Sequence, residues 1–98
     1  AIIRVHSEEE ALAVANDSEY GLSAAVYSRD SARAWNVAQR LQTGICHING
    51  PTVHDEAQMP FGGCKASGYG RFGGRAGIAE FTELRWITIQ TQPRELPF

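Results

Sequence analysis

Short apolar runs alternate with capped amphipathic stretches through the first half of the chain, and this order narrows the possible folds more than any other feature. Residues 1–5 read as a strand. In Ser7-Glu8-Glu9-Glu10 the hydroxyl can accept from the amide three residues on while Glu10 reaches back, so a helix should run from about Glu8 to Asn16, with Ala11, Val14 and Ala15 on one face. Residues 22–27 form a second apolar run. Asp30 or Ser31 then caps a helix whose Ala34, Val37, Ala38 and Leu41 fall at i, i+3, i+4 and i+7, a stripe widened by Trp35. Gly44 stops it. Residues 45–49 alternate, with Ile45, His47 and Asn49 on one face and Cys46 and Ile48 on the other. A parallel neighbour is reached only by crossing over the sheet, so the expected class is α/β: a parallel βαβαβ unit with right-handed crossovers.

From residue 50 to 74 the pattern dissolves, and seven of the ten glycines lie between Gly62 and Gly77. A structured loop of that length is usually functional. Residues 75–81 can form a short helix, and 84–90 alternate with two Ile on one face, the pattern of a strand with no sequential partner. The tail 91–98 carries two prolines and should lie along a surface. The chain opens on Ala1 in a strand already under way, which suggests a segment of something longer.

Composition removes several classes of function. Nine basic against eleven acidic residues leave a net charge of −2, without the basic field that nucleic acid or an anionic membrane would need. Two cysteines are too few for a disulfide scaffold, which points to a reducing cytoplasm, and no apolar run approaches the roughly 18 residues of a membrane span. Gly68-Tyr69-Gly70-Arg71-Phe72-Gly73 matches the dinucleotide fingerprint, yet it follows a loop and lacks a downstream ribose-binding acid, so it reads as turns. Cys46, His47, His54 and Cys64 are zinc-ligand types at spacings that match no paired-ligand pattern. Either thiol could serve as a nucleophile with His47 or His54 as base, but packing is the simpler role for both. His54-Asp55-Glu56 reads as a solvated turn, with substrate contact as the alternative. A single Arg-Gly run, 71–75, in an acidic chain is a weak RNA signal.

The string Met59-Pro60-Phe61-Gly62-Gly63-Cys64-Lys65-Ala66-Ser67-Gly68-Tyr69-Gly70-Arg71, preceded by Ile48-Asn49 and by Glu19-Tyr20-Gly21-Leu22-Ser23-Ala24, resembles the C-terminal part of the aldehyde dehydrogenase superfamily over about residues 1–90. Gly50 to Glu56 and Gly70 to Gly74 look like its aromatic-aldehyde branch, which acts on benzaldehyde, vanillin or salicylaldehyde. The resemblance implies an enzyme that oxidises an aldehyde to an acid with NAD or NADP. It also implies that the nucleophilic Cys, the base Glu, the oxyanion-holding Asn and the cofactor domain precede this segment. Cys46 and Cys64 do not match the nucleophile motif, so the segment alone should be inactive, with no catalytic residue, cofactor or metal of its own.

Carried over from the family are a tunnel-lining aromatic at Phe61 and a variable tunnel-mouth loop, 51–58, that includes Val53 and His54. Pro60, Gly62, Gly63, Lys65, Ser67, Gly68, Gly70 and Arg71 would shape the loop so that Phe61 faces inward. Many members have Glu after the motif's Arg, in a proton or water relay; here the residue is Phe72. The strand at 84–90 resembles the family's oligomerisation strand, with Trp86, Ile87, Thr88 and Ile89 at the interface. The expected partners are the rest of the catalytic chain, further copies of it and a small aldehyde. The expected division is 1–83, the end of a catalytic α/β domain with its 50–74 loop, and 84–98, an oligomerisation strand and tail. The alternative is a stand-alone assembly module that keeps the fold and does no chemistry.

Overall fold

The computed structural model describes residues 1–97. Its elements are α1 (Glu8–Asn16), β1 (Tyr20–Gly21), β2 (Ser23–Val26), α2 (Ser31–Arg40), β3 (Ile45–Ile48), β4 (Cys64–Lys65) and α3 (Gly74–Glu80). Both longer helices start where their caps predict. Ser7 is extended and its hydroxyl accepts from the Glu10 amide at 3.1 Å, while the Glu10 carboxylate reaches back to the His6 amide at 2.9 Å, one residue beyond the usual capping box. The Asp30 carboxylate accepts from the Arg33 amide at 3.1 Å and opens α2 in the same way.

β2 and β3 pair in parallel, Ser23 opposite Ile45 and Val26 opposite Ile48, with α2 as the crossover. The run expected at 22–27 holds β2, and an unexpected strand, β1, precedes it. β1 pairs antiparallel with β4, Tyr20 opposite Lys65, so Leu22 separates a strand that meets the glycine-rich loop from one that meets β3. The core lies where α1 meets α2: Leu12 and Ala34 are the buried apolar side chains. Arg33 reaches Glu8 at 2.8 Å and Arg40 reaches Glu9 at 2.6 Å across the two helices. Both guanidinium groups are held above their ordinary pKa, chiefly by those hydrogen bonds, but such exposed pairs contribute little stability.

Two expected strands find no neighbour within this chain: without 1–5 the parallel unit is βαβ rather than βαβαβ, while 84–90 was expected to pair with another subunit. Residues 1–5 join no ladder and Ile2 is fully exposed; residues 84–90 join none either, and Leu84, Trp86, Ile87 and Ile89 stand in solvent. The physical reason is the same for both. Alternation says which side chains share a face, but a strand exists only where a neighbour takes its N–H and C=O groups, and none does here. β3 also stops one residue early: Asn49 turns to φ 55°, and its side-chain amide accepts from the Ser28 N–H at 2.9 Å and donates to the Ser28 carbonyl at 3.0 Å. A side chain thus continues the pairing past the end of the ladder.

Candidate active-site cleft

Residues 61–72 are folded back by a few long-range clasps. Ala66 donates its amide to the Glu19 carbonyl at 2.8 Å, and the Ser67 hydroxyl accepts from the Gly21 amide at 2.8 Å. Lys65 takes φ 53°, and its ammonium donates to the Asn16 carbonyl at 2.9 Å and the Ser18 carbonyl at 3.0 Å, at the negative end of α1. The Arg71 guanidinium donates to the Gly63 carbonyl at 2.8 Å and the Gly70 carbonyl at 2.7 Å, while its amide donates to Glu80 at 3.0 Å. A Cβ at Gly44 would run into the Gly62 carbonyl, so the start of β3 and the loop can approach this closely only as glycine.

These clasps present Phe61. It exchanges both backbone hydrogen bonds with Phe72, each 2.7 Å, and the Phe72 ring packs on Phe81 with centroids 6.0 Å apart. Beside Phe61 opens a cleft of about 400 Å³ whose lining includes Ile45, Met59, Pro60 and Phe61 as apolar residues and His47, His54 and Glu56 as polar ones. The His47 and His54 rings meet edge to face, centroids 5.4 Å apart at 81°. His54 Nε2 lies 3.5 Å from a Glu56 oxygen, whereas His47 Nε2 is buried with no hydrogen-bond partner. Cys46 also lines the cleft, and burial pushes its thiol pKa up, toward a neutral and poorly nucleophilic group.

Of the residues singled out by sequence, Phe61, Pro60 and His54 reach the cleft, while Val53 stands outside its lining with 85% of its surface exposed. Gly63, Lys65, Ser67, Gly70 and Arg71 take part in the clasps or accept from them; Gly62 sits against Gly44, and Gly68, at φ 127°, has open space on its Cβ side. Trp86, Ile87, Thr88 and Ile89 lie away from the cleft in the exposed segment after α3. Sequence reading overlooked Met59 and the Glu80 contact with Arg71. Glu80 had no local signal: it closes a contact nine residues back through space.

The glycine run 68–73 does not fit a pyrophosphate. The Arg71 amide that an anion would need already donates to Glu80, and that carboxylate also packs over Gly70, so a phosphate would meet negative charge. Among the described residues no three His, Cys, Asp or Glu side chains converge as metal ligands, and no helix is long and apolar enough to cross a membrane.

The model of the aldehyde dehydrogenase family matches residues 1–87. The chain belongs to the aldehyde dehydrogenase family. Aldehyde dehydrogenases similar to it include a vanillin dehydrogenase of Pseudomonas fluorescens, 65% identical over 98% of this chain, and a salicylaldehyde dehydrogenase of Pseudomonas putida, 53% identical over 99%. The chain spans 20% of the length of each. Among solved aldehyde dehydrogenases, the salicylaldehyde dehydrogenase of Pseudomonas putida G7 complexed with salicylaldehyde superposes with a TM-score of 0.86 at 54% identity, over 98% of this chain and 20% of that one.

Proposed function

We propose that the chain supplies a substrate-tunnel wall and subunit contacts to an NAD(P)-dependent, cytoplasmic aldehyde dehydrogenase that oxidises aromatic aldehydes to carboxylic acids. The observation that carries this reading is Phe61, whose backbone is fixed by Phe72 and whose residue lines the 400 Å³ cleft. That volume lies in the range of small-molecule sites, and an aromatic wall favours a planar ring by about 1 kcal/mol beyond burial. Relatives named for vanillin and salicylaldehyde support the choice of ring substrates.

The residues of this segment bind and orient the aldehyde. Burial pushes the Cys46 thiol up and Glu80 closes the glycine run to a dinucleotide, which supports placing the nucleophile and the cofactor in the rest of the enzyme. On this reading residues 1–83, with the 50–74 loop, complete the catalytic α/β domain, and 84–98 meet another subunit through Trp86, Ile87, Thr88 and Ile89.

In the full-length enzyme, Phe61→Ala should raise KM for benzaldehyde about five- to tenfold and leave hexanal within about twofold. Equal effects on both substrates would remove Phe61 from the tunnel. The 98-residue chain alone should reduce no nicotinamide when given benzaldehyde; turnover by it would overturn the division of labour. The exposed Leu84, Trp86, Ile87 and Ile89 also favour a second reading, an assembly module without chemistry. A monomeric chain by light scattering, unchanged by Trp86→Lys, would dismiss that reading.

A further inference from the structure

We propose that His47 reads a ring hydroxyl: its Nε2 hydrogen-bonds the phenolic oxygen of a hydroxylated aromatic aldehyde that lies against Phe61, in the place the His54 ring takes here. The inference rests on the ring-aldehyde reading above and adds the residue that would distinguish one ring from another.

Three observations converge on it. First, His47 is in β3, opposite Ala25 of β2, so its place beside the cleft is set by a ladder rather than by a mobile loop. Second, its Nε2 is buried with no partner, an arrangement that native proteins rarely tolerate unless a ligand or water completes it. Third, the His54 ring already stands edge-on to His47 at 5.4 Å, which shows that a planar ring fits that position. The His54 side chain is 54% exposed and its charged neighbour is Glu56 at 3.5 Å, so it can swing outward and leave the position to a substrate.

The chemistry is selective. Ile45, Met59, Pro60 and Phe61 offer the ring body apolar surface, and His47 offers one polar atom. Neutral imidazole can accept from a phenol or, in its other tautomer, donate to a phenolate, so either form of the hydroxyl is satisfied. An unsubstituted ring leaves Nε2 unpaired and gives up that gain. Vanillin and salicylaldehyde carry the hydroxyl and benzaldehyde does not, and relatives are named for each of the three.

The test compares kcat/KM of the full-length enzyme for the three hydroxybenzaldehyde isomers and for benzaldehyde. His47→Phe keeps a ring and removes the nitrogen. It should cost the isomer that the wild type prefers roughly tenfold while benzaldehyde changes less than about threefold, and His47→Gln should recover part of the loss. A parallel fall for all four substrates, or no fall, overturns the proposal, since a merely structural role would not change the ratio. If His47→Phe is insoluble, wild-type dissociation constants for the preferred hydroxybenzaldehyde isomer and for the methylbenzaldehyde substituted at the same position decide instead; equal values overturn it. A wild-type enzyme that oxidises hexanal but none of the ring aldehydes overturns the functional reading itself, a result distinct from an unchanged ratio.

Discussion

Single residues hold the loop at distances that sequence does not reveal. Lys65 is a non-glycine residue in the left-handed region, which costs on the order of 1 kcal/mol, and its ammonium offsets this by capping carbonyls of and beyond α1. Replacing it with Met should therefore loosen the loop by about 1 kcal/mol, or roughly fivefold in the opened population. Chymotrypsin cleavage at Tyr69, exposed in the 98-residue chain, measures this in that chain: Lys65→Met should be cut several times faster, and equal rates would show that the clasp contributes nothing. The Cys46 thiol offers a second reading at this scale. Because burial favours the neutral form, its thiolate fraction at neutral pH falls below that of free cysteine, and its reactivity should rise only at more alkaline pH. Alkylation by iodoacetamide, mapped to Cys46 by mass spectrometry, should be slower than for free cysteine at pH 7; parity would refute the burial argument. Ser7 and Asp30 were legible as caps because each acts three residues away, whereas Lys65 meets Asn16 across 49.

Among elements, the helices and the parallel strands β2 and β3 were legible nearly to the residue, whereas β1 and β4 were not. α1 and α2 contain their own hydrogen bonds and carry their caps in sequence, so a local pattern suffices. β1 exists because Lys65 and Cys64 return to it through the folded loop, and no pattern around Tyr20 announces that partner. The cleft had the same fate: the motif gave Phe61, but the meeting of His47 with His54 depends on how far the loop folds over β3. Gly44 tests this closure directly. Gly44→Ala drives a methyl group into the Gly62 carbonyl and should push the loop from β3, raising KM for benzaldehyde at least severalfold in the full-length enzyme. Gly50→Ala is the control, since its added methyl meets only the His47 Cβ at an ordinary 3.7 Å and should leave KM within about twofold. Equal KM values for the two variants would separate the β3 contact from the cleft.

The whole molecule carries surface that a chain of this size normally buries. A compact domain of this mass exposes about 5,500 Å² and has a radius of gyration of about 13 Å. This chain exposes 8595 Å² and measures 21.3 Å, drawn out to 73 Å along its longest axis. The excess of about 3,100 Å² lies on one side only, so covering it would bury about 6,000 Å² in total, at the upper end of obligate interfaces. Leu12 and Ala34 are a small core for ninety-eight residues, and the parallel pair β2 and β3 belongs to a kind of sheet that is normally covered on both faces. The 98-residue chain by itself should therefore lack a cooperative transition. Its far-ultraviolet circular dichroism should fall gradually on heating, and it should bind the dye ANS at room temperature, because much of the apolar surface of Trp35, Trp86 and Ile89 stands exposed. A sharp melt together with a radius of gyration near 13 Å in solution would mean that the chain collapses on itself, and the surface drawn here as waiting for a partner would have to close against its own core instead.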